Sequence, residues 1–155
     1  MTDNAGLQEF KQGIELLRNG YASEALEYLQ HAAALKQQNP FYLSFLGVCT
    51  ARAQKKWAPA LDLCKAAIKI KRDDVQLYLN LAEVYISAGQ REDAVETLNN
   101  AVRFCGEDQR IDRQRKKLGR RGSPVLPFFE RGHFLNRNLG KLRFQMKERL
   151  GGSAC

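Results

Sequence analysis

The sequence predicts an all-α protein, an array of antiparallel helix pairs closed at its C-terminal end by capping helices. Two observations carry that prediction. Across residues 75–108 apolar side chains recur at the helical period, with Tyr78, Leu81, Ala82 and Tyr85 at i, i+3, i+4 and i+7. After Gly89, the alanines and leucine at Ala94, Leu98 and Ala101 define a second stripe, so the stretch reads as two helices joined at a glycine. The same arrangement then recurs twice upstream. Second-helix alanines step from Ala25 to Ala60 to Ala94, and first-helix small residues step from Gly13 to Gly47 to Ala82, a period of 34 or 35 residues.

The elements follow in order. The first pair, about residues 6–40, carries Phe10, Gly13, Leu17, Gly20, Ala25, Leu29 and Ala32 at the pattern positions. The second, residues 41–74, carries Leu43, Leu46, Gly47, Trp57, Ala60, Cys64 and Ala67, with Pro40 and Pro59 at helix starts that need no donor. A one-residue offset places an extra residue in its turn, near residues 54–56. The third pair is 75–108. Small residues at the helix crossings let backbones approach, and large ones fill the space between. Three such units bury a continuous core by stacking.

Residues 109–122 read as a basic cap helix and linker. Ile111 and Leu118 lie seven apart on one face, Arg115 and Lys116 stand where a further repeat needs small or apolar residues, and Gly119 and Gly122 stop the helix. In residues 123–155, Pro124 and Pro127 force an extended segment. Its Val125, Leu126, Phe128 and Phe129 suit a hydrophobic surface. From 133 to 150 the stripe Leu135, Leu139, Leu142 and Met146 is flanked by cations, an amphipathic basic helix, before a frayed end.

The chain of 155 residues is long enough for one core, and its 44% hydrophobic and 27% charged content is that of a folded protein. No apolar run reaches the roughly 20 residues of a membrane span, and the N-terminus lacks the features of a secretory signal. The four cysteines show no CxxC pair, so reduced structural thiols and a cytoplasmic setting are expected. The net charge of +8 is uneven: residues 109–155 carry +10 and residues 1–108 carry −2.

The 75–108 pattern of Tyr78, Leu81, Ala82, Tyr85, Gly89, Ala94, Leu98 and Ala101 resembles the tetratricopeptide repeat. That resemblance implies a right-handed superhelical array, an α-solenoid, with the first helix of each pair on the concave wall. It further implies that ligands, usually peptides, lie in that groove. The family's groove positions fall on Leu7, Phe10, Ile14 and Leu17 in the first pair. In the second they fall on Phe41, Ser44, Phe45, Val48 and Arg52, and in the third on Gln76, Leu79, Asn80, Glu83 and Ser87. Chaperone-binding members grip a terminal carboxylate with Lys and Asn, but Phe10 and Ile14 occupy those places here, so no such clamp is expected.

An open apolar groove calls for an occupant. The candidates are a partner's peptide or helix, the chain's own C-terminal tail acting as a gate, or a second copy in a homodimer. The expected function is a non-catalytic scaffold or adaptor binding protein in the groove. The alternative is a nucleic-acid adaptor acting through the basic extension; a membrane surface is a weaker fit. Catalysis has no foothold. His31 and His133 sit in no nucleophile or metal motif, and His31 amid alanines reads as an inter-helix packing residue. No phosphate-cradling glycine loop is present, and no cofactor or metal is expected.

Overall fold

The computed structural model describes residues 2–119, which form α1 (Thr2–Arg18), α2 (Ala22–Leu35), α3 (Pro40–Gln54), α4 (Trp57–Ile70), α5 (Val75–Ser87), α6 (Arg91–Cys105) and α7 (Gln109–Gly119). No strand occurs among the described residues. The expectations for the C-terminal extension lie outside the described residues. They include the anchors Val125, Leu126, Phe128, Phe129, Leu135, Leu139, Leu142 and Met146.

Odd-numbered helices after α1 start in the same way. The Asn39 Oδ1 accepts from the amides of Phe41 (3.0 Å) and Tyr42 (3.3 Å), the Asp74 Oδ1 from Gln76 (2.9 Å) and the Asp108 Oδ1 from Arg110 (2.7 Å). Each side chain satisfies amides that the helix leaves unpaired. Within the first and third pairs the turn passes through a left-handed glycine, Gly20 at φ 89° and Gly89 at φ 78°. The middle pair differs. Its extra residue does not lengthen the turn: α3 continues to Gln54, 15 residues against 13 in α5, and Lys55 takes the left-handed position at φ 56°. Another helical residue satisfies its backbone internally, which a longer loop would not.

Neighbouring odd helices touch each other, α1 with α3 and α3 with α5, whereas α2 and α4, and α4 and α6, do not. The even helices α2 and α4 contact the odd helix of the next pair, α3 and α5. Neighbouring pairs therefore meet along their odd helices, and the even helices of successive pairs stand apart. Stacking uses one register throughout. Tyr42 and Cys49, then Leu77 and Val84, then Ile111 and Leu118 are the buried i, i+7 pairs of α3, α5 and α7. On α1 the corresponding places hold exposed Gln8 and Glu15, so the first helix needs nothing before it.

The far end closes differently. In α5, Tyr78, Leu81 and Ala82 are buried, with Tyr78 and Ala82 packed beside Ala94, Leu98 and Ala101 of α6. The equivalent α7 residues Asp112, Arg115 and Lys116 are exposed and charged. One apolar edge is thus enough to seat α7, and burying Ile111 fully contributes about 1.5–3 kcal/mol.

Candidate functional site

The odd-helix face begins with an aromatic cluster. Phe10 stacks on Tyr42 at 4.5 Å between ring centroids and meets Phe45 edge-on at 5.6 Å. Tyr42 is buried, but Phe10, Phe41, Phe45 and Ile14 are half-buried, and Leu7 is 42% exposed. The Lys71 ammonium lies 5.2 Å from the centre of the Phe41 ring and 3.3 Å from an Asp74 carboxylate oxygen.

Not every position implied by the family resemblance is open. Leu17, Ser44, Val48 and Asn80 are buried between helices, while Gln76, Leu79 and Glu83 are half-buried and Arg52 and Ser87 exposed. The polar members among the buried ones are bonded to each other. Asn80 Nδ2 donates to Ser44 Oγ at 3.0 Å, and Gln76 Nε2 donates to Asn80 Oδ1 at 2.8 Å. Arg110 Nη1 extends this chain to Gln76 Oε1 at 3.5 Å. A polar ladder therefore runs across α3, α5 and α7 beneath the groove surface.

A second polar tie lies farther along. Arg52 holds Glu83 through Nη2 at 2.5 Å and Nε at 2.7 Å, and its Nη1 lies 3.4 Å from the carbonyl oxygen of Leu17. One guanidinium thus joins α1, α3 and α5 through its planar fork.

The positions implied by the family resemblance recur in phase on α7. Stepping 34 residues from Gln76, Leu79 and Glu83 reaches Arg110, Arg113 and Lys117, all exposed. The positions implied by the family resemblance lie on the three repeats alone and do not include these residues. The signal lay in the recurrence of Asn39, Asp74 and Asp108, which marks α7 as a fourth helix in phase. Bonds from the Arg110 side chain and amide hold the Asp108 carboxyl below its ordinary range.

His31 corrects an expectation. It does not pack between helices: its side chain is 73% exposed, with Nδ1 3.9 Å from a Glu9 carboxylate oxygen. The position belongs to the outer surface of α2, and the neighbouring Ala32 and Ala33 supply the packing instead. The thiols of Cys49 and Cys64 are buried, which pushes their pKa values up to about 11 and about 12. Such thiols stay protonated and unreactive. Among the described residues no His, Cys, Asp and Glu cluster is arranged to hold a metal ion, and no helix is long and apolar enough to cross a membrane.

Residues 51–111 match the tetratricopeptide repeat family. No curated protein matches the sequence. Solved structures share the fold at low identity. The tetratricopeptide-repeat domain of Arabidopsis OM64 is 16% identical, with 77% of this chain and 98% of that one covered and a TM-score of 0.64. The second such domain of human RPAP3, in complex with an HSP70 peptide, is 13% identical, with 77% and 99% covered and a TM-score of 0.63. The Yersinia enterocolitica type III secretion chaperone SycD, in complex with a peptide of the translocator YopD, is 13% identical, with 88% and 92% covered and a TM-score of 0.58. Residues 51–111 thus carry the tetratricopeptide-repeat pattern, and the described helices share the fold of these solved structures.

Proposed function

We propose that this chain is a non-catalytic interaction module whose odd-helix groove takes a peptide or helix of a partner protein. The observation that carries the reading is the apolar strip of Leu7, Phe10 and Phe45, which the fold leaves partly uncovered although it buries comparable side chains elsewhere. An uncovered strip of this kind is a docking surface for apolar anchors. Support also comes from neighbours of the same fold that were solved with peptides bound, among them human RPAP3 and SycD.

Selection of a random peptide display library on the intact chain tests it. The expected result is an enriched consensus containing an aromatic or aliphatic anchor. Leu7→Glu combined with Phe45→Glu abolishes that enrichment while the far-UV helical signal persists. Enrichment retained by a folded double variant contradicts the reading.

A second reading draws on the +10 net charge of residues 109–155, part of which is the exposed cationic surface of α7. In it the basic extension binds nucleic acid through phosphates, and affinity falls steeply as salt rises. Retention on single-stranded RNA or DNA that does not change with salt would contradict it.

A further inference from the structure

Exposed charge on the described helices is unevenly divided between even-numbered and odd-numbered helices. Exposed carboxylates outnumber exposed cations on the even-numbered helices, Glu24, Glu27, Asp62, Glu92, Asp93 and Glu96 against Lys65, Lys69 and Arg103. On the odd-numbered helices exposed cations outnumber the exposed carboxylates Glu15 and Asp112. Positions in groove register carry cations instead: Lys11 and Arg18 on α1, and Arg113 and Lys117 on α7. All four are exposed, and none has an ion-pair partner among the described residues. The carboxylate that does face this side, Glu83, is held by Arg52, while Asp108 at the start of α7 is held by Arg110. The odd-helix face therefore carries its aromatic side chains on α1 and α3, and its unneutralised cations on α1 and α7.

We propose that the groove selects a peptide with an apolar anchor followed by carboxylates, the anchor seated at Phe10 and Phe45 and the carboxylates on Arg113 and Lys117. This rests on the peptide-binding reading above and names the chemistry of its ligand. It differs from a terminal-carboxylate clamp in place, because Phe10 and Ile14 occupy the clamp positions and the cations assigned to the carboxylates, Arg113 and Lys117, stand on α7. From α3 to α7 there are two helix spacings of about 8–10 Å each. An extended peptide advancing about 3.3 Å per residue covers that distance in roughly five or six residues. A guanidinium meets a carboxylate in charge-assisted hydrogen bonds, and the surrounding positive field raises the encounter rate of an acidic ligand.

The experiment selects random twelve-residue peptides on the intact chain and on Arg113→Glu/Lys117→Glu, then titrates the best peptide by fluorescence anisotropy at low and high salt. The expected consensus from the intact chain pairs an apolar anchor with Asp or Glu about five or six residues away, as derived from the helix and strand spacings. At low salt the charge-reversal variant is expected to weaken that peptide by about tenfold or more. A control with the same charge change on the even helices, Lys69→Glu/Arg103→Glu, is expected to stay within about twofold. Thermal melting checks that both variants fold. An apolar consensus without acidic residues, or equal weakening by both variants, overturns this inference and leaves the peptide groove standing. No consensus at all overturns both. Binding of an oligonucleotide through Arg113 and Lys117, with no peptide enriched, also overturns it.

Discussion

A β-carbon placed on Gly47 would stand 2.6 Å from the sulfur of Cys64 and 2.7 Å from the carbonyl oxygen of Ala60. That contact is how α3 and α4 achieve their spacing, and it differs from the third pair, where alanine at position 82 is accommodated. Gly47→Ala would gain helix propensity of about 1 kcal/mol. The clash with backbone outweighs it, and net destabilisation of about 1–2 kcal/mol is expected. Urea unfolding checks the value. Gly13→Ala should cost less, because the atoms it meets are side-chain carbons of Leu29, at 2.7 and 2.9 Å. A larger effect at Gly13 would show that the crossing of α1 and α2 is the stiffer one.

The Asn80–Ser44 bond makes a different prediction. Both residues are buried, so Asn80→Ala leaves a hydroxyl and the Gln76 amide without their partner, at a cost of about 1–3 kcal/mol. Replacing both, Asn80→Leu with Ser44→Ala, removes the polar pair together and is expected to recover much of that loss. A double variant no more stable than Asn80→Ala would mean that packing, not the hydrogen bond, is what Asn80 supplies.

Burial also sets a pH limit. The folded thiols of Cys49 and Cys64 titrate near 11 and 12 against an ordinary 9.0, so between about pH 9 and 11 the unfolded chain holds fewer protons than the folded one. Stability contributed by the buried neutral thiols is therefore complete below pH 9 and is lost as pH rises. Each thiol steepens the decline by at most about 1.4 kcal/mol per pH unit. Unfolding free energy measured from pH 8 to 11 should fall less steeply in Cys64→Ala than in the unaltered chain; equal slopes would contradict the assignment.

The helix pairs were legible in the sequence because stacking demands the same residue type at the same place in every unit. Gly13, Gly47 and Ala82 mark the crossings, and a period of 34 or 35 residues is a signal that no single substitution erases. Which side chains face water was harder to read. Ser44 and Asn80 are polar, and polarity in a groove position suggests exposure, yet a hydrogen bond between adjacent helices lets both be buried. His31 misleads in the opposite sense, since flanking alanines describe the helix face next to it and not its own. Net charge hid most, because a sum over residues does not say which helix face each charge occupies.

Amide chemical-shift mapping shows whether a peptide ligand lies against the odd helices. A 15N-labelled intact chain is titrated with the peptide enriched on it. The account predicts that the largest shifts fall on α1, α3, α5 and α7, around Phe10, Phe45, Leu79 and Arg113, with α2, α4 and α6 little changed on their outer faces. Shifts concentrated around exposed Tyr28, Asp62 and Glu96 on the even helices would place the ligand on the convex side and contradict it.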